Sequence, residues 1–191
     1  MTAMTLDDVR NDAFARLSRG VVDRRSPFRS PAFATVDALG HPSVRTVVLR
    51  AFDPVRRVLR VHTDLRAAKV ADLRARPAVA LHVWDEADAI QVRVTGRATL
   101  HAADERTRAE WAGLHPGIRA TYTVRPTPGT PLADPAEADR ERVDERAAEA
   151  NFAVVDVEML GLDWLHLAQG GHRRARFEWS DEREDATWIV P

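Results

Sequence analysis

The chain is expected to fold as an antiparallel β-barrel with flanking helices, a mostly β protein of the α+β kind. Three features point there. Runs of β-branched residues recur, as at Thr46-Val47-Val48 and Val154-Val155, and such side chains suit a pleated surface. Most of these runs are joined by short turns, too short for the crossovers that parallel strands need. Strand patterns also outnumber helical ones, which favours a sheet closed on itself.

The elements follow in order. Residues 5–19 read as a helix, with Leu6, Val9, Ala13, Phe14 and Leu17 near helical spacing. Thr5 and Asp8 make a capping-box pair, and Gly20 is the expected stop. Residues 21–31 form a basic connector through Arg24, Arg25 and Arg29. A strand at 33–36 turns at Leu39-Gly40-His41-Pro42 into one long strand, 43–52, and Asp53-Pro54 turns that into a strand at 58–63. A short helix at 66–75 buries Val70 and Leu73, and Pro77 ends it before a strand at 78–84. Residues 89–100 alternate strictly, with Ile90, Val92 and Val94 towards the barrel and Gln91, Arg93 and Thr95 on the other face. A helix capped by Asp104 runs to 114 and breaks at His115-Pro116-Gly117. The proline-rich stretch 126–131 is a stiff loop, followed by a charged surface helix at about 137–150. Strands are expected at 152–157 and 164–167, then at 172–179 after a Gly170-Gly171 turn, and an edge strand at 184–190.

At 191 residues the chain fits a single domain, 1–191, with room for a real core. The net charge of −1 gives no bulk attraction to nucleic acid or anionic lipid. No cysteine is present, which excludes disulfides, thiolate catalysis and cysteine-ligated metal. The N-terminal residues 1–8 lack a basic region followed by an apolar one, so no signal peptide is expected there. No apolar run approaches the roughly 20 residues that span a bilayer. A cytoplasmic protein without membrane or nucleic-acid partners is the expectation. Arginine supplies nearly all the positive charge, and Lys69 is the sole lysine.

The long strand carries two arginines in an apolar run, Arg45-Thr46-Val47-Val48-Leu49-Arg50. Buried guanidinium groups need an anion or water beside them. The run is followed by His62-Thr63-Asp64, by Lys69 on a helix, and by Gln91-Val92-Arg93-Val94-Thr95-Gly96. This ordered set resembles the pyridoxamine 5′-phosphate oxidase family, whose members are FMN-binding split β-barrels. The resemblance covers about 33–100 and resumes at Gly171-His172-Arg173-Arg174-Ala175-Arg176-Phe177.

The resemblance implies a site. Arg45 and Lys69 match ligands of the FMN phosphate, a task suited to guanidinium and ammonium. Thr46, Val47, Val48 and Leu49 match backbone along the flavin. His62 and Thr63 stand where the family has Tyr-Thr. Gln91 and Arg176 match an amide and a late arginine near the ring. One phosphate ligand departs from the pattern, because Ala68 precedes Lys69 where arginine is usual. Arg45 and Arg50 are an odd number of residues apart, so on an ideal strand they face opposite sides. The resemblance sets that strand beside the flavin at a homodimer interface, which leaves Arg50 for a substrate anion.

The family grips its substrate phosphate with Tyr-x-x-x-Arg-x-x-x-Ser and a later Arg-x-His. Here Trp111, His115 and Arg119 stand at the first three positions, and the pair reads His172-Arg173-Arg174. An ordinary histidine carries little charge at pH 7. The implied substrate contacts, Arg50, His115, Arg119, His172 and Arg174, therefore differ from the family's set. No catalytic residue is assigned.

Other chemistries have no anchor. The seven histidines make no His-x-x-x-His pair, so no metal site is expected. Gly-x-Ser-x-Gly, the P-loop and Gly-x-Gly-x-x-Gly are absent. Two readings stay open. One is an FMN-dependent oxidoreductase acting on a small molecule, with altered substrate-phosphate residues. The alternative is a non-catalytic flavin- or haem-binding split-barrel protein.

Overall fold

In the computed structural model, which describes residues 4–180 and 183–191, the chain opens with helix α1 (Leu6–Val22). Residues 1–3, the start of the stretch read as lacking a signal sequence, lie outside the described residues. Thr5 caps α1 and closes the expected box with Asp8. The helix does not stop at Gly20. Gly20 is buried under a 3₁₀ turn at Pro27–Arg29, where an added Cβ would sit 2.5 Å from the Phe28 carbonyl oxygen. It is a close-packing glycine, and its place in the sequence mimics a stop.

The strands are β1 (Ala32–Val36), β2 (Pro42–Thr46), β3 (Leu49–Asp53), β4 (Val58–Asp64), β5 (Ala78–Asp85), β6 (Ile90–His101), β7 (Phe152–His166), β8 (Arg173–Ser180) and β9 (Arg183–Ile189). Between them lie α2 (Ala68–Ala75), α3 (Glu105–Ala112), α4 (Pro116–Arg119) and α5 (Glu145–Asn151). The strands form one nine-stranded sheet in the order β2-β1-β5-β6-β7-β4-β3, with β8 on β7 and β9 on β8. Every pairing is antiparallel. The fold is the antiparallel split barrel with flanking helices that the sequence suggests.

The core sits where the alternation put it. Ile90, Val92 and Val94 are buried with Phe33, Leu49, Leu59, Val61, Leu81 and Trp164. Helix α1 adds Val9, Ala13 and Leu17 to the same cluster. A second cluster of Trp111, Tyr122, Ala148, Phe152 and Val154 lies on the other face of β7. Strand β7 is thus covered on both sides along its first half. No helix among the described residues is long and apolar enough to cross a membrane.

Three further expectations need correction. The single strand 43–52 is two strands, broken at Val47-Val48. Strand β2 pairs with β1 and β3 pairs with β4, so the chain must leave one ladder before it joins the next. The strands expected at 152–157 and 164–167 are one 15-residue strand, β7. Its first half pairs with β4 and its last six residues with β8, while β6 runs along the other edge. Gly161, which resembles a turn residue, is there because Thr95 Oγ1 would lie 2.7 Å from a Cβ. The helix expected at 137–150 is a 3₁₀ turn at Pro135–Asp139 followed by α5. Backbone pairing takes the residues between: Val143 N donates to Thr123 O at 2.7 Å and Arg125 N to Glu141 O at 3.1 Å. Asp144 then caps the shorter helix by accepting from Ala147 N.

The register shift between β6 and β7 falls at Thr95/Gly96, leaving Leu160 as the extra residue. An added Cβ at Gly96 would lie 2.3 Å from the Glu158 carbonyl oxygen and 2.8 Å from Val157. Backbone cannot yield as a side-chain tip would. Gly96→Ala is expected to cost about 2 kcal/mol or more of stability, the range of core overpacking, read as a lower urea midpoint with unchanged slope.

Candidate functional site

Strands β2 and β3 are neighbours in sequence but occupy the two ends of the sheet path. Between them Val47 and Val48 leave the ladder, and Val47 N donates instead to Pro31 O at 3.1 Å. A cleft of about 330 Å³ opens along this break. Its walls are Thr46, Val47, Val48 and Arg50 on one side, His62, Thr63 and Asp64 at the end of β4, Lys69 on α2, and Thr121, Tyr122 and Pro128 from the segment after α4. The proline-rich loop therefore reaches the cleft through Pro128.

One end of the cleft is cationic. Lys69 is partly buried and its Nζ donates to Thr63 Oγ1 at 3.0 Å. Burial and the neighbouring Arg45 push its pKa down, with Asp64 pulling the other way. Arg45 is not on the cleft wall but is near enough to act on the charge of Lys69. Its guanidinium donates to Thr35 Oγ1 at 2.8 Å, Ser43 Oγ at 2.6 Å and Phe33 O at 3.3 Å, and lies 3.8 Å from Asp72. Burial lowers its pKa too, partly offset by Asp72. Asp64 is held by Arg66, Nη2 to Oδ2 at 2.7 Å, and Arg66 also donates to the carbonyls of Val124 and Arg125 at 3.0 Å. Two adjacent cations, both losing hydration, form a place for an anion.

The other end is built from Arg50, His62 and Tyr122. The Nε of Arg50 is buried and makes no hydrogen bond among the described residues. Burial and the charge of Arg29 lower the Arg50 pKa, while Tyr122 opposes them. The His62 side chain is only 5% exposed and its ring meets Phe152 edge-on at 4.9 Å. Burial, then Arg50, push its pKa from the ordinary 6.5 to about 4, with Glu110 opposing. Its Nε2 lies 3.3 Å from Glu110 Oε2, but neither ring nitrogen has hydrogen-bond geometry to a partner. Tyr122 is buried against Trp111 and Phe152. Burial pushes its phenol up to about 12, so it stays protonated. Sequence reasoning missed Tyr122. It is the chain's sole tyrosine, in a stretch without periodicity, and that was the only signal available.

The remaining candidates are distributed. Leu49 is buried in the core and offers its carbonyl to Arg29 at 3.3 Å. Gln91 and Arg176 are remote from the cleft, on the outward faces of β6 and β8. Gln91 Oε1 lies 3.2 Å from His82 Nε2. Arg176 is exposed and lines a second hollow of about 440 Å³ with His82, Arg93, Thr95 and Asp163. Of the candidate substrate contacts, Arg50 alone faces the cleft. His115 is exposed and caps α4 through Gly117 N. Arg119 lies over the Trp111 ring at 5.6 Å, donates to Ala112 O at 2.8 Å and pairs with Glu145 at 2.9 Å. His172 is exposed, and Arg174 pairs with Asp163 at 2.9 Å. Within one chain these residues do not meet. Among the described residues no cluster of histidine and carboxylate side chains could hold a metal.

Comparison with known proteins finds similar sequences and folds. Residues 12–102 match the family model described as pyridoxamine 5′-phosphate oxidase, FMN-binding domain. The chain is 28% identical over 143 residues to pyridoxine/pyridoxamine 5′-phosphate oxidase 2 of Arabidopsis thaliana, covering 70% of this chain and 71% of that protein. It is 43% identical over 75 residues to the pyridoxine/pyridoxamine 5′-phosphate oxidase of Xanthomonas euvesicatoria, a match spanning 38% of this chain and 37% of the relative. Two solved structures share the fold. One is a pyridoxamine 5′-phosphate oxidase-related, FMN-binding protein of Nostoc punctiforme, with a TM-score of 0.78 and 24% identity over 95% of this chain and 96% of the other. The second is PhzG from Burkholderia lata, with a TM-score of 0.78 and 16% identity over 100% and 98%. The chain is thus similar over residues 12–102 to the FMN-binding domain of pyridoxamine 5′-phosphate oxidases, and it has the split-barrel fold.

Proposed function

We propose that this protein binds FMN in the cleft at the β2–β3 break and serves as a flavin-dependent oxidoreductase, working as a homodimer. The observation that carries the reading is Lys69, resting on the Thr63 hydroxyl on the cleft wall, with Arg45 as its charged neighbour, both partly desolvated. Lys69, Arg45 and Thr63 would hold the flavin phosphate, and the backbone at Val47-Val48, outside both ladders, would run along the ring. Bound there, FMN supplies hydride acceptance and the return of electrons to an acceptor. The chain's part is to hold it, shape access and exclude water.

The dimer reading rests on a separation. Gln91 and Arg176 lie on outward strand faces, away from Lys69 and Thr63. A site using all four needs residues from two copies, and a twofold interface then makes two equivalent sites. Sedimentation of FMN-loaded protein is expected to show two chains carrying two flavins. A monomer with stoichiometric FMN would remove the two-chain site.

Charge-assisted hydrogen bonds contribute about 1.5–3 kcal/mol. Lys69→Ala is therefore expected to weaken FMN about tenfold to a hundredfold while leaving riboflavin nearly unaffected, measured by quenching of flavin fluorescence. Equal losses for both ligands would mean that Lys69 does not read the phosphate. A haem-type Soret band on the purified protein, in place of a flavin spectrum, would favour the non-catalytic binding alternative.

The substrate is expected to differ from that of the oxidases named above. Within one chain His115, Arg119, His172 and Arg174 are engaged or exposed away from the cleft, so a phosphate gripped beside Arg50 has no second fixed cation from that chain's set. Oxidation of pyridoxine 5′-phosphate by FMN-loaded protein under air is expected to fall below a kcat/KM of about 10⁴ M⁻¹s⁻¹, the lower edge of ordinary enzymes. A value above that would show the substituted residues to be sufficient.

A further inference from the structure

We propose that the Arg50 end of the cleft, together with Tyr122, is a subsite for a single carboxylate, so that the substrate class is a small organic acid and not a phosphate ester. The proposal rests on the flavin reading above and deepens it.

The charge available at this end decides between the two anions. A phosphate monoester is close to dianionic at neutral pH, with a second pKa of about 6. Sites that read it usually converge several cations or a nest of backbone donors on its oxygens. Among the described residues of one chain, Arg50 is the one cation on the cleft wall besides Lys69. Arg29 is near enough to shift Arg50, but its Nη1 is taken by the carbonyls of Val21 and Leu49 and faces the end of α1. His62 is held neutral by burial and by its arginine neighbours, and Glu110 lies beside its ring. Asp64, though paired with Arg66, lines the cleft and is within electrostatic reach of Tyr122. Asp64 and Glu110 oppose each negative charge on the ligand, and the single Arg50 charge on this wall matches only one.

The donors fit a carboxylate. Arg50 has a buried Nε–H without a hydrogen-bond partner among the described residues. A guanidinium edge gives two parallel N–H bonds, the geometry that matches two carboxylate oxygens. Tyr122, protonated and lining the same wall, adds a neutral donor. A neutral donor beside a single cation balances one negative charge and leaves no surplus for a dianion. Tyr122 is thereby a specificity-determining residue.

The test uses protein loaded with FMN, titrated at neutral pH with benzoate and with phenyl phosphate, two probes on one ring, followed by the flavin difference spectrum. Benzoate is expected to bind at least tenfold more tightly. Tyr122→Phe removes one oxygen and no bulk, and should weaken benzoate by about tenfold, the loss of one charge-assisted hydrogen bond, with FMN affinity within about twofold of the parent. Arg50→Gln should erase the preference between the probes. Phenyl phosphate binding as tightly as benzoate overturns the proposal, and so does a Tyr122→Phe protein that holds benzoate like the parent. Yellow protein that binds neither probe overturns the carboxylate subsite alone, whereas protein that takes up no FMN overturns the flavin reading and this proposal together.

Discussion

The sheet cannot close between β2 and β3. These strands follow one another in the chain, with only Val47 and Val48 between them, yet each hydrogen-bonds to a strand at the opposite end of the sheet path. A backbone that must leave one ladder before entering another has polar groups to place. Val47 N finds Pro31 O, and the rest of the break faces a cleft. The position of the cleft follows from this topology. Strand β4 pairs with β3 and delivers His62 and Thr63 to its edge, and α2, which follows directly, brings Lys69 to the same edge. A closed barrel with the same residues would have had a core here and no site.

The distribution of charge separates structural arginines from those of the cleft. Asp156, with a side chain only 10% exposed, gathers Arg60 at 2.7 Å and Arg106, and Arg60 also meets Glu110. Asp163 holds Arg93 at 2.8 Å and Arg174 at 2.9 Å. Arg16 bridges Asp12, Asp85 and Asp88. Fully exposed pairs add little stability, but here Asp156 and Asp163 are largely buried, and removing one from under several guanidinium groups leaves uncompensated charge, which costs much more. At the cleft the balance is different. Lys69 rests on a hydroxyl, Arg45 mainly on hydroxyls and a carbonyl, and Arg50 leaves its Nε without a partner among the described residues. Asp72 lies 3.8 Å from Arg45, and Asp64 is held by Arg66, so the carboxylates nearby match the cleft's positive charge only loosely, as an anion-binding site requires.

Much of the fold was legible in residue order. The alternation at Ile90-Gln91-Val92-Arg93-Val94 set both the strand and its buried face, because a pleated strand has a period of two whatever its partners. Thr5 with Asp8 and Asp104 at its helix start marked caps that form locally. At the site, Val47, Val48, Thr63 and Lys69 were named from an ordered motif, and they share one cleft in the structure. Those features depend on neighbours in sequence, or on a pattern that carries its own order.

What only the tertiary structure decided depends on distant partners. Val-Val-Leu between two arginines reads as unbroken strand, and nothing local records that β1 takes one half and β4 the other. That division also removes the expected parity between Arg45 and Arg50, since each now sits on a different strand. Gly20 and Gly161 look like punctuation, yet they are small because Phe28 and Thr95 approach them from elsewhere in the chain. The same holds for Tyr122, whose place on the cleft comes from packing on Trp111 and Phe152. Local propensity and periodicity therefore determined which segments are strands and helices. Pairing partners and close contacts between remote residues, which carry no periodic signature, decided where the barrel splits and which side chains face the opening.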